Sequence, residues 1–226
     1  MLIALAGLAL LAAIVLPQLL VRLTFSRHAA DRPDIPGTGG ELARHLLDSF
    51  GLGHVRVEVT DRGDHYDPRD KAVRLGERNL NGRSLTAVAV AAHEVSHALQ
   101  DDRGERSFTL WQRLAALAAQ TDRIAGLFFI AAPILAIFAR TPMALIALVL
   151  VGVALLAVRV VVTLVTLPIE FDASFGKALP ILEEGNYVAR ADLPAVRSVL
   201  RAAALTYLAA ALISLVNLAR WVRLLR

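Results

Sequence analysis

The chain has 226 residues, 56% of them hydrophobic, and a mean hydropathy of +0.56, too apolar for an ordinary water-soluble domain. It contains no cysteine, which excludes a disulfide framework and a thiolate metal site. The net charge of +4 is not one basic patch: residues 22–123 hold 15 basic and 15 acidic side chains, and the excess flanks apolar runs, so no nucleic-acid partner is expected.

Residues 2–21 (LIALAGLALLAAIVLPQLLV) carry no charge and are long enough to span a bilayer. No basic residue precedes them and no good small-x-small cleavage site follows closely, so they read as an uncleaved anchor. Residues 22–123 form a polar domain. Within it, TGGELARHLLDSFGLG opens with Thr38 and Glu41 at capping-box spacing and stops at Gly51 and Gly53, which predicts a short helix. VRVEVT (55–60) alternates as a strand; AVRLG (72–76) is its expected partner, across a turn marked by Asp64, Asp67 and Pro68. LTAVAVAAHEVSHALQ (85–100) is a helix starting near Ser84. Two apolar runs, 124–139 and 143–167, are separated only by Arg140, Thr141 and Pro142, which predicts a transmembrane hairpin. Residues 168–201 return to the polar side, and 202–226 hold a last apolar run (202–219) and a basic tail. The expected fold class is a mainly α integral membrane protein, with about four transmembrane helices and a small α+β cytoplasmic domain.

The chemistry lies in the helix 85–100. A purely structural apolar helix has no use for His93, Glu94 and His97 within five residues. One turn apart, the two imidazoles share a face and can share one Zn²⁺, while Glu94 flanks the metal where it can hold a water. The bland alternative is a surface helix with two solvated histidines. A third protein ligand is required, leaving one position open. The extended pattern ending in a third His is absent, since Gln100 occupies its Gly position and Arg103 its last His position. Asp101, Asp102 and Glu105 continue or leave the same helix and point poorly back at the metal. In LPIEFDASFGKAL (167–179), Pro168 suits the first turn of a helix and places Glu170 early on it; Asp172 is the alternative. Both carboxylates could instead merely cap that helix. Two expected spans lie between His97 and Glu170, so the chain returns to the side it left. Arg22, Arg27 and Arg32 after the first run favour a cytoplasmic site.

Residues 64–100, LPIEFDAS and VLRAAALTYLAAAL together resemble the YugP-like family of neutral zinc metallopeptidases, bacterial membrane proteins. The resemblance implies a zincin-like domain and kinship with membrane zincins whose third ligand comes from an E-x-x-A-D segment. Glu170 and Ala173 match that pattern, whereas Ser174 replaces its Asp, the carboxylate that would orient a ligand histidine. Ser96 stands where the resemblance leads to Gly. The expected activity is hydrolysis of a protein or peptide substrate at the cell membrane, with the lipid bilayer as the other partner and Zn²⁺ as cofactor. His93, His97 and Glu170 would hold the metal, and Glu94 would act as general base. Tyr187, His65 and Tyr66 are candidates for an oxyanion or substrate contact, and the strand 55–60 or 72–76 for an edge on which a substrate pairs. The competing reading is a non-catalytic membrane protein with a structural zinc clip.

Overall fold

The computed structural model describes residues 2–138 and 141–206. It begins with α1 (Leu2–Arg27), α2 (Gly39–Ser49), β1 (Arg56–Thr60), β2 (His65–Asp67), β3 (Ala72–Gly76), α3 (Glu77–Asn81) and α4 (Leu85–Asp102). There follow α5 (Arg106–Phe138), α6 (Pro142–Phe171), a π-helical segment (Asp172–Ala178), α7 (Leu179–Glu184), a 3-10 turn (Arg190–Asp192) and α8 (Leu193–Ala204). Two compact units emerge. One gathers residues 2–18, 110–138 and 141–167 of those described; the other comprises Leu19–Thr109 and Pro168–Thr206.

In the first unit the expectation of about four transmembrane helices fails. Among the described residues a single helix, Arg106–Leu135 within α5, is long and apolar enough to cross a membrane. Within α6 the stretch Pro142–Leu155 is apolar but, among the described residues, shorter than a span. Two helix boundaries also differ from the expectation. α5 begins at Arg106 rather than near residue 124, so it absorbs a stretch that reads as polar domain. α6 does not stop at Leu167 but continues to Phe171, carrying Glu170 with it. Hydropathy counts Leu, Val and Ala alike whether a helix spans lipid or supports another element. The expected last run, 202–219, lies outside the described residues beyond Thr206; its first residues belong to α8, which buries Val196, Val199 and Leu200.

The second unit is built around α4. Thr38 Oγ1 accepts from the Glu41 N–H while the Thr38 N–H donates to Glu41 Oε2 at 2.7 Å, so the capping box that starts α2 is complete. Ser84 caps α4 through the Ala87 N–H. Every residue of α4 from Leu85 to Gln100 is buried, which rules out a surface helix with solvated histidines. Ala-rich stretches let neighbours approach closely, and α4 accordingly packs against α2, α3, α7, α8, the π-helical segment and the sheet. Ser96 fits here because its hydroxyl donates to the Ala92 carbonyl at 2.7 Å.

The three-stranded sheet has the order β1-β3-β2. Residues 55–60 and 72–76 do pair, but in parallel, Arg56 opposite Ala72 and Thr60 opposite Gly76. The segment expected as a turn contributes β2, antiparallel to β3 with Tyr66 opposite Val73. β3 is therefore the central strand, and residues 72–76 offer no free edge. Arg74 ties the sheet together, reaching Glu58 of β1 at 3.0 Å and Asp67 of β2 at 2.7 Å.

Candidate metal centre

His93 and His97, one turn apart on α4, turn their rings towards Glu170 at the end of α6. His93 Nε2 and His97 Nε2 lie 3.3 Å apart, and Glu170 Oε2 is 3.3 Å from the first and 3.4 Å from the second. A tetrahedral zinc with ligand bonds of about 2.0–2.1 Å sets its ligand atoms about 3.3–3.4 Å apart. The triangle has that size.

Its protons also point to a cation. Ser174 Oγ donates to the Leu200 carbonyl at 3.0 Å and lies 3.0 Å from His93 Nδ1, so it accepts the Nδ1 proton. Gln100 Oε1, 2.9 Å from His97 Nδ1, accepts there as well. Each neutral ring thus carries its proton on the outer nitrogen and aims the Nε2 lone pair inward. Both Glu170 oxygens are buried with no aligned hydrogen-bond donor. Two lone pairs and a buried carboxylate converge on one point, an arrangement that is stable only around positive charge.

The titration of the metal-free centre follows from the same need. Burial would raise the Glu170 carboxyl, but His97 and His93 outweigh it and hold it down at about 2. Burial would lower His97, but Glu170 outweighs it and raises the imidazole to about 9. A proton on His97 therefore substitutes for the metal. Burial raises the neighbouring Glu94 carboxyl against the pull of His93 and His97.

Local sequence explains the placement. Pro168 does not open a helix; it lies inside α6, which puts Glu170 at a helix end rather than a beginning. Directly after it the chain widens into the π-helical segment. Contacts between α4 and this region run in opposite senses, His93 to Ser174, His97 to Glu170 and Gln100 to Ile169. Asp172, the alternative ligand, turns away from the triangle and accepts from Gln100 Nε2 at 2.8 Å.

The remaining candidates are committed elsewhere. Tyr66 donates to Asp101 Oδ2 at 2.7 Å, and Lys71 joins the same oxygen at 2.6 Å. His65 Nδ1 meets the Gly63 carbonyl at 2.8 Å. The Tyr187 hydroxyl lies 2.9 Å from His45 Nε2. Tyr187 lines one cavity of about 360 Å³ with Val88 and another of about 320 Å³ with Leu99. At about 100° per residue, Val88 and Leu99 share a face of α4 that lies about 120–180° from His93 and His97. Tyr187 is not brought to the metal face.

Sequence reasoning missed Gln100, Phe108 and His45. Phe108 is 1% exposed and tilts over the His97 ring with centroids 6.0 Å apart. Gln100 was legible in principle, since i+3 from His97 is the same helix face.

Comparison with known proteins decides the family. The family model described as "Putative neutral zinc metallopeptidase" matches residues 2–226. The chain belongs to this family. A relative in Bacillus subtilis (strain 168), named "Putative membrane protease YugP", is 38% identical over 208 residues, covering 91% of this chain and 88% of that protein. No solved structure matches. Within the family, the buried His93–His97–Glu170 group is suited to zinc, and zinc is the cofactor.

Proposed function

We propose that the chain is a membrane-bound zinc endopeptidase in which His93, His97 and Glu170 hold the metal and Glu94 is the general base. The observation that carries the reading is the triangle of donor atoms at 3.3–3.4 Å with Glu94 next to His93 in sequence. Zinc, when bound, supplies a Lewis acid that polarises a peptide carbonyl and lowers the pKa of an attacking water. Glu94 takes the proton from that water and passes it to the leaving amine, and its raised carboxyl pKa suits a group that must both accept and return a proton. Ser174 and Gln100 keep the imidazole lone pairs inward throughout. Among the described residues β1 and β2 are the edge strands, to which an extended substrate could add, whereas β3 is central.

Membrane attachment is supported by the helix Arg106–Leu135 and by the name of the Bacillus relative, a membrane protease. Arg103, Arg106 and Arg113 cluster at the end of that helix nearer α4 in sequence, which favours a cytoplasmic site. Turnover of membrane proteins is a substrate role that fits an enzyme held at a bilayer.

The burial of all three ligands supports the rival reading, a zinc clip that only holds α4 to α6. Glu94→Gln separates the two. A clip tolerates it. An enzyme keeps its zinc and fold but loses about 10²–10⁴ in cleavage rate on an unfolded protein substrate, because an amide cannot accept the proton. Equal cleavage by wild type and Glu94→Gln overturns the mechanism.

A further inference from the structure

We propose that Gln100 is the positioning residue for the metal ligand His97, and that Asp172 and Lys177 are the outer parts of the same device. The inference rests on the metal-centre reading above and not on the peptidase reading.

Gln100 is fully buried, and a buried amide must satisfy both its ends. Its orientation is not ambiguous. Nε2 faces two acceptors, Asp172 Oδ2 at 2.8 Å and the Ile169 carbonyl at 3.3 Å, neither of which could meet a carbonyl oxygen. Oε1 must then face His97 Nδ1, at 2.9 Å. That fixes the ring as the Nδ1–H tautomer and commits Nε2 to the metal.

An amide serves here where a carboxylate would not. A carboxylate at position 100 would meet Asp172 and the Ile169 carbonyl with negative charge. Glutamine instead polarises the imidazole with its own oxygen while drawing on the anionic Asp172 behind it, without adding a buried charge. Asp172 is in turn paired with Lys177, and Lys177 also reaches Glu105 Oε1 at 3.1 Å. Gly176 makes room, because a Cβ there would overlap the Asp172 carboxylate. The chain from His97 to Lys177 therefore joins α4 to the π-helical segment at the point where the ligand ring must not rotate.

The test measures zinc affinity of the purified full-length protein by competition with a chromophoric chelator, together with the absorption spectrum of the cobalt-loaded protein. Gln100→Leu keeps the volume but loses the acceptor; it should weaken zinc binding about 10–100-fold and shift the cobalt bands. Gln100→Glu alone should also bind weakly, because two carboxylates then face each other. Adding Asp172→Asn to Gln100→Glu restores a donor opposite the introduced carboxylate and should return affinity to within about threefold of wild type. Should Gln100→Leu fail to fold, the comparison of Gln100→Glu with the double variant decides alone. Wild-type affinity and an unchanged cobalt spectrum in Gln100→Leu would overturn the proposal, as would a double variant no better than Gln100→Glu. A wild type without zinc affinity would overturn the metal centre as well.

Discussion

Ser174 and His93 are joined through a single hydroxyl: Ser174 Oγ lies 3.0 Å from His93 Nδ1 and donates to the Leu200 carbonyl at 3.0 Å. A serine thus takes the place where the E-x-x-A-D resemblance leads to an aspartate. It works because a backbone carbonyl on α8 absorbs the hydroxyl proton and leaves the oxygen free to accept. Ser174→Ala strands the buried Nδ1–H of His93, while the Leu200 carbonyl keeps its place in the α8 ladder. Unfolding in urea should show a loss of about 1–3 kcal/mol, and chelator competition a loss of about tenfold or more in zinc affinity. Full zinc affinity in Ser174→Ala would show that His93 holds its orientation without the hydroxyl.

Zinc uptake should be coupled to a proton. In the metal-free centre His97 titrates at about 9 and Glu170 at about 2, so near neutral pH one proton sits on His97 and must leave as the metal enters. Apparent affinity should rise about tenfold per pH unit towards pH 9 and flatten above it. The sign for the metal-free fold is opposite. His97 is raised from 6.5, so its contribution to stability is complete below that value and is lost as pH rises through about 9. Glu170 is lowered from 4.5, so its contribution is complete above that value and is lost as pH falls towards about 2. Proton release measured with an indicator in weak buffer checks the coupling; none at pH 7 would contradict it.

Gly176→Ala should destabilise the protein, although Ala normally favours a helix interior by about 0.8–1.0 kcal/mol over Gly. The added methyl group meets the Asp172 carboxylate, which Lys177 and Gln100 hold in place. In Asp172→Ala that obstacle is gone, and the same Gly176→Ala change should become neutral or stabilising. A double-mutant cycle in urea reads the coupling directly. Additive effects would mean that Asp172 moves aside freely.

The chain has no cysteine, so a cysteine introduced at the exposed Ser49 reports sidedness alone. It should be shielded from an impermeant thiol reagent in intact cells and labelled after lysis. Labelling in intact cells would place the site outside.

The buried His93–His97–Glu170 group was largely legible in sequence and its surroundings were not. His93, Glu94 and His97 are readable because their spacing is fixed by one helix, and the turn of a helix does not depend on what packs around it. Glu170 was reached by chemistry, yet its setting was misread: Pro168 suggested a helix start, and the helix instead runs from Pro142 to Phe171. Gln100 stood out in sequence only as the residue that breaks a longer motif, and it proves to face the ring it follows. Its partners, Ile169 and Asp172, are about seventy residues away, and no local pattern encodes such a meeting. The sheet was misread for a related reason. β2 has three residues, too few to alternate visibly, and the Asp-rich stretch before Arg69 resembles a turn.

The order of residues along the chain sets a timetable for synthesis. Both imidazoles leave the ribosome early, but Glu170 follows only after the whole of α5 and most of α6, and the Leu200 carbonyl that steadies Ser174 comes later still. On the proposed ligand set, a nascent chain that stops before residue 170 has the two imidazoles but not the Glu170 carboxylate, too few for a metal centre. On the same set, a site able to hold the metal therefore arises only after residue 170 has been made. A product cut short before Glu170 is, on that reading, left without a metal site.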